Sequence, residues 1–329
     1  MVWRIHFTAE DLERIQVRPT LGPLAETVKA ISLLRCDQPR APYRQWRSQA
    51  KSRLTPQMAA LTALIPPGTR GVDLPMLTGT APTLEQGVRA LLAVPRDELL
   101  VEMQHTDRMH RLPAGAWAVA ETNGEGRLQL AAATVAAHQA LVEPYWNQIH
   151  ACLHAEYVAR LRTLAAGGPG RLLTSLQSQW VRWRPPVLEV LTCFDLDLSL
   201  TGQGIALVPS MFVGQLPSLH TNPSDCTAMP WLVLPPSADR MGQHHLWHDS
   251  RPRGAALAAL VGRNRAAVLR TIADGCTTTE LAGRVGISLA AASQHASVLR
   301  DAGLITTHRQ GSAVLHVLTP LGVELLRAG

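Results

Sequence analysis

The stretch from Thr277 to Leu318 reads TTTELAGRVGISLAAASQHASVLRDAGLITTHRQGSAVLHVL and decides the fold of the last quarter of the chain. Thr277 and Glu280 have the S/T-x-x-E spacing of a capping box, and apolar residues at helical spacing follow. Gly286 ends this first helix, because glycine accepts the positive φ of a helix end, and Ser288 can cap the next one. The stretch therefore predicts a short helix, a tight turn and a second helix.

The second helix is predicted over Leu289 to Ala302. Its spacing turns Ala292, Ala296 and Leu299 inward and leaves small and polar residues on the outer faces of its N-terminal half. A helix that enters the major groove of DNA needs such a surface, because large residues would hold its backbone away from the base edges.

Two strands are predicted after this helix. Gly303 ends the helix, Leu304 to His308 reads as one strand and Ala313 to Leu318 as the returning strand. The turn between them, residues 309–312, carries Arg309. The pair has the form of a wing beside a helix-turn-helix.

These residues resemble the pattern of the ArsR-type winged-helix repressors. The matching groups are Glu280-Leu281-Ala282, Gly286-Ile287-Ser288, Ser293-Gln294-His295, the run from Leu299 to Ile305, and Arg309-Gln310-Gly311. Upstream, Gly262 to Arg270 resembles the first helix of that family, so that the resemblance covers about Ala255 to Leu318. It implies a winged helix-turn-helix repressor that binds double-stranded DNA as a homodimer.

The resemblance and the helical spacing together give a set of expected DNA contacts. Residues 293–295 would face the groove, Arg284 and Ser288 would position the phosphates, and Arg309 would reach the backbone or the minor groove. The full expected set is Arg284, Ser288, Ala290, Ala291, Ser293, Gln294, His295, Arg309 and Gln310.

The chain departs from the metal-sensing members of that family. Those members carry a Cys-x-Cys pair at the start of the first motif helix, whereas this chain has TTTELAG there and only Cys276 nearby. We therefore expect neither a metal nor a cofactor in this domain. Elsewhere, His150 and His154 lie one helical turn apart, and His244, His245 and His248 form a denser group; a metal role for either is the minor alternative to ordinary surface or linker residues.

The net positive charge of the chain is concentrated in the same quarter. Residues 251–329 hold nine Arg against four acidic residues, and the other residues are nearly balanced, with 22 basic and 21 acidic. A cationic module of this kind is typical of phosphate binding, and its affinity for DNA should fall steeply with salt.

Composition places the chain among soluble globular proteins. It has 329 residues and 46% hydrophobic content, and no segment reaches the 18 apolar residues of a membrane span. The start, MVWRIHFTAEDLER, is too charged for a signal peptide, and five widely spaced cysteines favour reduced thiols. These features predict a cytoplasmic protein.

The fold class expected for the whole chain is α+β and mostly helical. Residues 1–235 would form an α+β sensing or dimerisation domain, residues 236–254 a linker, and residues 255–329 the winged helix-turn-helix domain. Within the first domain we expect an opening strand, helices broken near Pro56 and Pro144, and a late hairpin of Leu196 to Leu200 with Ile205 to Pro209 across a TGQG turn.

The N-terminal region also resembles the domain of unknown function that precedes an ArsR-type head in long bacterial regulators. The residues concerned are Phe7, Glu10, Asp11 and Leu12 at the start, and Gly204, Leu207, Val208, Pro209 and Ser210 later. The resemblance implies a sensing or dimerising region and leaves open a small-molecule effector. It names no ligand.

No catalytic constellation is visible in the sequence, so that we expect a protein without enzyme activity. The alternative is an enzyme domain over residues 1–235 with the winged helix serving autoregulation. Trp117, Trp180 and Trp231 could line an apolar ligand pocket, although tryptophans are more often part of separate cores.

Overall fold

The structure is a computed structural model that describes all residues except 37–42, 70, 122–123, 193, 215, 226, 238–254, 273–274, 311–312 and 329. The chain divides into two compact units, Met1–Trp247 and His248–Gly329. Helices and mixed sheets together give the predicted α+β class. Within the described residues, no helix combines the length and the apolar character that crossing a membrane requires. The expected linker lies almost wholly outside the described residues.

Helices form most of the regular secondary structure in the described part of the N-terminal unit. They are α1 (Ala9–Glu13), α2 (Pro23–Leu34), α3 (Arg44–Lys51), α4 (Ala59–Ala63), α5 (Leu74–Thr78), α6 (Leu84–Ala93), α7 (Arg96–His110), α8 (Glu125–Leu141) and α9 (Trp146–Ser175). Short 3₁₀ turns at Pro56–Met58 and Glu143–Tyr145 confirm the two breaks predicted at prolines. Inside α9, Gly167 and Gly168 leave the helical conformation.

The helices enclose a large apolar core around Trp46. This side chain is fully buried on α3, its Nε1 donates to the carbonyl oxygen of Leu141 at 3.0 Å, and its ring centroid lies 4.7 Å from that of Phe212. A buried tryptophan normally needs a partner for its N–H group. These contacts tie α3 to the end of α8 and to the 3₁₀ turn Met211–Val213.

The first sheet has the order β3-β4-β1-β5. Its strands are β1 (Val2–His6), β3 (Val181–Arg184), β4 (Val187–Leu191) and β5 (Leu196–Ser199). β1 runs antiparallel to β4 and parallel to β5. Trp3 and Ile5 face the core while their neighbours are partly exposed, as the alternation in the sequence predicts.

The second sheet has the order β2-β6-β8-β7. Its strands are β2 (Gln16–Val17), β6 (Ala206–Pro209), β7 (Ser218–His220) and β8 (Trp231–Leu234). β6 is parallel to both β2 and β8, and β7 is the antiparallel edge strand next to β8. β6 and β8 are buried along their whole length, which suits their position inside the sheet.

The predicted hairpin of residues 196–209 is wrong. β5 pairs with β1 in the first sheet, whereas β6 belongs to the second sheet. The carboxylate of Asp11 accepts N–H groups from Gly202 at 2.8 Å and from Gly204 at 3.0 Å, and both glycines have positive φ. These bonds hold the TGQG segment against α1, where the chain passes from one sheet to the other instead of turning back.

Trp117, Trp180 and Trp231 are dispersed through separate cores, which is the favoured reading of the sequence, and the alternative of a pocket that the three share is wrong. Trp117 packs on the helical core, Trp180 on the core of the first sheet, and Trp231 in a small cluster with Leu21 and Val233. Tertiary packing decides this, because the three residues lie on elements that the sequence alone does not bring together.

The C-terminal unit has the predicted order of elements. They are α10 (Ala255–Val261), α11 (Arg263–Thr271), β9 (Cys276–Thr277), α12 (Thr278–Val285), α13 (Leu289–Asp301), β10 (Ile305–Gln310), β11 (Ala313–Leu318) and α14 (Pro320–Ala328). The predicted wing pair is confirmed as β10 and β11, but β10 continues to Gln310, so that Arg309 and Gln310 pair with β11 instead of lying in the predicted turn. β9 adds a third strand beside β11. Leu269, Leu281, Leu299 and Ile305 lie in the core of this unit.

Candidate nucleic-acid interface

The start of α12 is fixed by the predicted capping box. Thr277 Oγ1 accepts the N–H of Glu280 at 3.3 Å, and Glu280 Oε2 accepts the N–H of Thr277 at 2.9 Å. The hydrogen bonds from the backbone and the hydroxyl of Thr277 lower the pKa of Glu280, and the charge of Arg284 acts in the same direction. The glutamate is therefore ionised at neutral pH, and two backbone N–H groups of the helix end have partners.

The turn between the two helices is short because Gly286 adopts a left-handed conformation, with φ 71° and ψ 38°. Its N–H and that of Ile287 both donate to the carbonyl oxygen of Ala282, as in a helix C-terminal motif. Ile287 packs against the core of the unit. The hydroxyl of Ser288 then accepts the N–H of Ala291 at 3.2 Å and caps α13.

The inner face of α13 consists of small residues and one leucine. Ala292, Ala296 and Leu299 are buried against the core that includes Leu281 of α12. The two helices pack closely because alanine side chains leave room for the neighbouring backbone. This packing confirms the inward face that the spacing predicts and fixes which side of α13 is turned to solvent.

The outer face of α13 carries several of the expected DNA-contacting residues. Ala290, Ser293 and Gln294 are exposed. Ala291 and His295 are half-buried, and His295 Nδ1 is shielded from solvent with no hydrogen-bond partner in the described part of the chain. The exposed part of the expected DNA-contacting surface therefore centres on Ala290, Ser293 and Gln294, and His295 lies at its margin.

The structure adds Leu289 to this surface. It stands in the first turn of α13 and its side chain is 55% exposed. Sequence reasoning gave it no role, because an apolar residue at a helix start is usually assigned to the core. An exposed apolar side chain at this position has the chemistry to contact a thymine methyl group.

The wing is joined to α12 by a buried histidine. His316 Nε2 lies 3.0 Å from Thr278 Oγ1, and His316 Nδ1 lies 3.3 Å from Thr307 Oγ1. Burial lowers the pKa of His316, and the charge of Arg300 lowers it further. The neutral imidazole thus bridges β11, β10 and the first turn of α12 at neutral pH.

The remaining expected contacts lie on the wing and on α12. Arg309 and Gln310 are the last two residues of β10, opposite Val314 and Ala313, and their side chains lie outside the described residues. Arg284 is exposed near the end of α12.

Further arginines are exposed on the same unit. Arg263, Arg265, Arg270 and Arg300 all reach solvent, and Arg300 also donates to Ser297 Oγ at 2.8 Å. The positive charge predicted from composition thus lies at the surface.

The candidate metal ligands do not assemble into a site in the described part of the chain. No group of three or more His, Cys, Asp or Glu side chains that could hold a metal ion occurs there. His150 and His154 stack with ring centroids 6.4 Å apart, but Cys152 between them is buried in the helical core. His244, His245 and His248 lie outside the described residues. Cys276 is buried, and burial raises the pKa of its thiol.

Comparison with known proteins agrees with the C-terminal geometry. Residues 263–308 match a family model described as a helix-turn-helix domain. No curated protein and no solved structure matches the chain. The match begins at the first residue of α11 and ends within β10, so that it covers α12, the turn and α13. The C-terminal unit therefore contains a helix-turn-helix domain.

Proposed function

We propose that the chain is a sequence-specific DNA-binding transcription regulator of the ArsR type and that it acts as a repressor. One observation carries the proposal. The N-terminal half of α13 is capped at Ser288, packed on its inner face, and exposes only small or polar residues and one leucine. A rigid helix with such a face can enter the major groove with its backbone close to the base edges.

Base recognition is assigned to the exposed face of α13. Gln294 has an amide that can pair with the N6 and N7 atoms of adenine, and Ser293 has a hydroxyl that can serve several bases. Ala290 and Ala291 let the helix approach closely. His295 would contact the groove only at its margin, because its ring is half-buried.

Phosphate binding is assigned to the arginines and to the wing. Arg284 lies near the turn, and Arg309 lies at the end of β10, where it would reach the backbone or the minor groove. Ser288 and Gln310 would support these contacts, although the hydroxyl oxygen of Ser288 already caps α13. Such contacts fix the position of the protein on DNA without selecting its sequence.

The proposed state is a homodimer, because two recognition helices then read two half-sites about 34 Å apart, one turn of DNA. The chain lacks the cysteine pair of metal-sensing relatives, and the buried Cys276 is a poor substitute. An effector, where one exists, is therefore assigned to the N-terminal unit. It would have to bind the two states of the dimer with different affinity.

The test is a genome-wide map of bound DNA sites followed by fluorescence anisotropy of the full chain on the recovered operator. Gln294→Ala should alter the preference at one base pair by about 1–3 kcal/mol. Arg309→Ala should weaken binding to every sequence and reduce the salt slope by about one. Gln129→Ala, an exposed glutamine of α8, is the matched control and should bind as the wild type does.

Unchanged affinity and unchanged base preference in both C-terminal variants would contradict the assignment. A dispersed set of bound sites without a shared sequence would contradict sequence-specific regulation.

A further inference from the structure

A chain of hydrogen bonds joins a serine, a histidine and an aspartate inside the N-terminal unit. Ser218 Oγ lies 2.6 Å from His220 Nε2, and His220 Nδ1 lies 2.5 Å from Asp73 Oδ2. These are the contacts by which a histidine activates a serine hydroxyl while a carboxylate orients the ring. The sequence does not suggest the group, because Asp73 and His220 are 147 residues apart.

Each of the three side chains is positioned by regular structure. Ser218 and His220 are two residues apart on β7, so that both point to one face of this edge strand. Asp73 caps α5, and its Oδ1 accepts the N–H of Met76 at 3.1 Å. Its other oxygen is thereby aimed at His220 Nδ1. If Nδ1 carries the proton, Nε2 is the acceptor, and both Ser218 Oγ and Lys29 Nζ lie within hydrogen-bond distance of it.

A buried lysine stands beside the same serine. Lys29 on α2 is 7% exposed, and its Nζ lies 3.0 Å from His220 Nε2 and 3.5 Å from Ser218 Oγ. Enclosing an ammonium group is costly, and a purely structural contact between α2 and β7 would be cheaper with apolar side chains. A positive charge at this place favours negative charge that develops next to Ser218 Oγ.

We propose that Ser218 is an acyl-accepting nucleophile that cleaves small carboxylic esters. Ser218 Oγ attacks the ester carbonyl carbon while its proton passes to His220 Nε2, and Lys29 stabilises the negative oxygen of the tetrahedral intermediate. The intermediate expels the alcohol, which takes the proton from His220, and leaves an acyl-serine. Water then attacks the acyl group and gives a proton to His220, which passes it to the departing Ser218 Oγ, so that the acid and the free serine are released.

Burial sets the size of the substrate. Ser218 and His220 are each 5% exposed, and the side chain of Asp73 is 18% exposed. This burial limits the proposed substrate to esters of a small acyl group such as acetyl. Asp73 is a positioning residue, because it acts through His220. The inference concerns the N-terminal unit and does not depend on the proposed reading of DNA.

The experiment treats the full chain with p-nitrophenyl acetate, follows release of p-nitrophenol, and maps the acetyl group by peptide mass spectrometry. The wild type should give a burst of p-nitrophenol and one acetyl group on Ser218. Ser218→Ala should lose both, and His220→Asn should slow acetylation by at least about 100-fold. Ser210→Ala removes another fully buried serine hydroxyl, one outside the proposed group, and should behave as the wild type does.

Asp73→Asn distinguishes the role of Asp73 in orienting His220 from its role in capping α5, because asparagine keeps an oxygen that can cap the helix. It should slow acetylation and move the pH of half-maximal rate downward, since the imidazole loses a neighbouring negative charge. Other charged groups surround the imidazole of His220. Its Nε2 lies near Lys29 Nζ, and Lys29 in turn interacts with Glu26. Glu102 accepts the backbone N–H of Asp73.

Three results would overturn the proposal. Absence of acetyl-Ser218 in the wild type rejects the nucleophile, and acetylation of Lys29 in its place assigns the reactivity to the amine. Acetylation of Ser218 at an equal rate in the folded His220→Asn variant rejects the base. Circular dichroism of each variant shows whether it is folded, so that loss of reactivity is not confused with loss of structure.

Discussion

The contacts that define the helix-turn-helix join residues close in sequence, whereas several buried polar contacts of the N-terminal unit join distant ones. Thr277 bonds to Glu280 three residues away, and Ser288 caps a residue three positions on. In the N-terminal unit, Asp11 bonds to Gly204 across 193 residues, and Lys29 contacts His220 across 191. Local contacts can be recognised from spacing, while distant ones depend on the complete fold.

The polar contacts of the two units also differ in how deeply they are buried. The caps of α12 and α13 lie at the surface, where hydrogen bonds compete with water and each contributes little. The side chains of Asp11, Glu26 and Lys29 are enclosed, where an unmade contact costs more. Substitutions in the N-terminal unit should therefore have larger effects on stability than those at the caps of the C-terminal unit.

The largest expected effect is that of Trp46→Ala. Loss of this buried ring and of its hydrogen bond to Leu141 should lower the free energy of unfolding of the N-terminal unit by about 3–5 kcal/mol. Hydrogen exchange of the full chain should show faster exchange in α2 and α8 and unchanged exchange in α13. Leu128→Ala, at a side chain 62% exposed on α8, is the control and should change little. Equal loss of protection in α13 would show that the two units do not unfold separately.

The second largest expected effect is a pH dependence of the stability of the N-terminal unit, which originates at Glu26. Burial raises the pKa of this carboxyl to about 7 from its ordinary 4.5, although its Oε2 accepts N–H groups from Met211 and Phe212. Because the folded pKa is the higher one, the folded state binds more protons between pH 4.5 and 7. Stability from this group is thus greatest below pH 4.5, falls as pH rises to about 7, and is constant above. The fall is about 3 kcal/mol, at 1.36 kcal/mol for each pKa unit.

Glu26→Gln should remove this dependence and stabilise the N-terminal unit above pH 7. Glutamine keeps an oxygen for the two backbone N–H groups but carries no charge. Urea unfolding at pH 4.5, 6 and 8 measures the difference, and the exposed Glu98→Gln provides a control with the same change of charge. A variant with the slope of the wild type would assign the pH dependence to other groups.

The smallest effect is that of Ser288→Ala. Loss of the cap should cost about 1 kcal/mol and should raise exchange in α13 without affecting the N-terminal unit. Ser293→Ala makes the same chemical change at an exposed position of the same helix and should leave stability nearly unchanged. A cost well above 2 kcal/mol for Ser288→Ala would mean that this hydroxyl does more than cap the helix.

Prediction from the sequence succeeded where the chain determines its structure locally. The capping box at Thr277, the left-handed Gly286 and the inward Ala292, Ala296 and Leu299 were all predicted and are confirmed. The DNA-contacting roles on the outer face stay predictions.

Prediction from the sequence failed at the segment from Leu196 to Pro209. A TGQG sequence between two apolar runs favours a hairpin locally, but Asp11 binds the backbone of this segment from the other end of the unit. The strand pairs were therefore formed with β1, β2 and β8 instead of with each other. The spacing of residues along the sequence cannot predict the contact between Asp11 and this segment.

The sequence by itself determined the α+β class, the helix-turn-helix with its wing, and the excess of positive charge in the last quarter of the chain. Caps, glycines and helical periodicity act over three or four residues, which is why they can be read without the fold. Only the tertiary structure decided that the tryptophans separate into different cores, that His295 is half-buried, and that Ser218, His220, Asp73 and Lys29 meet. Those outcomes depend on which distant elements pack together, because burial and long-range hydrogen bonds exist only in the folded chain.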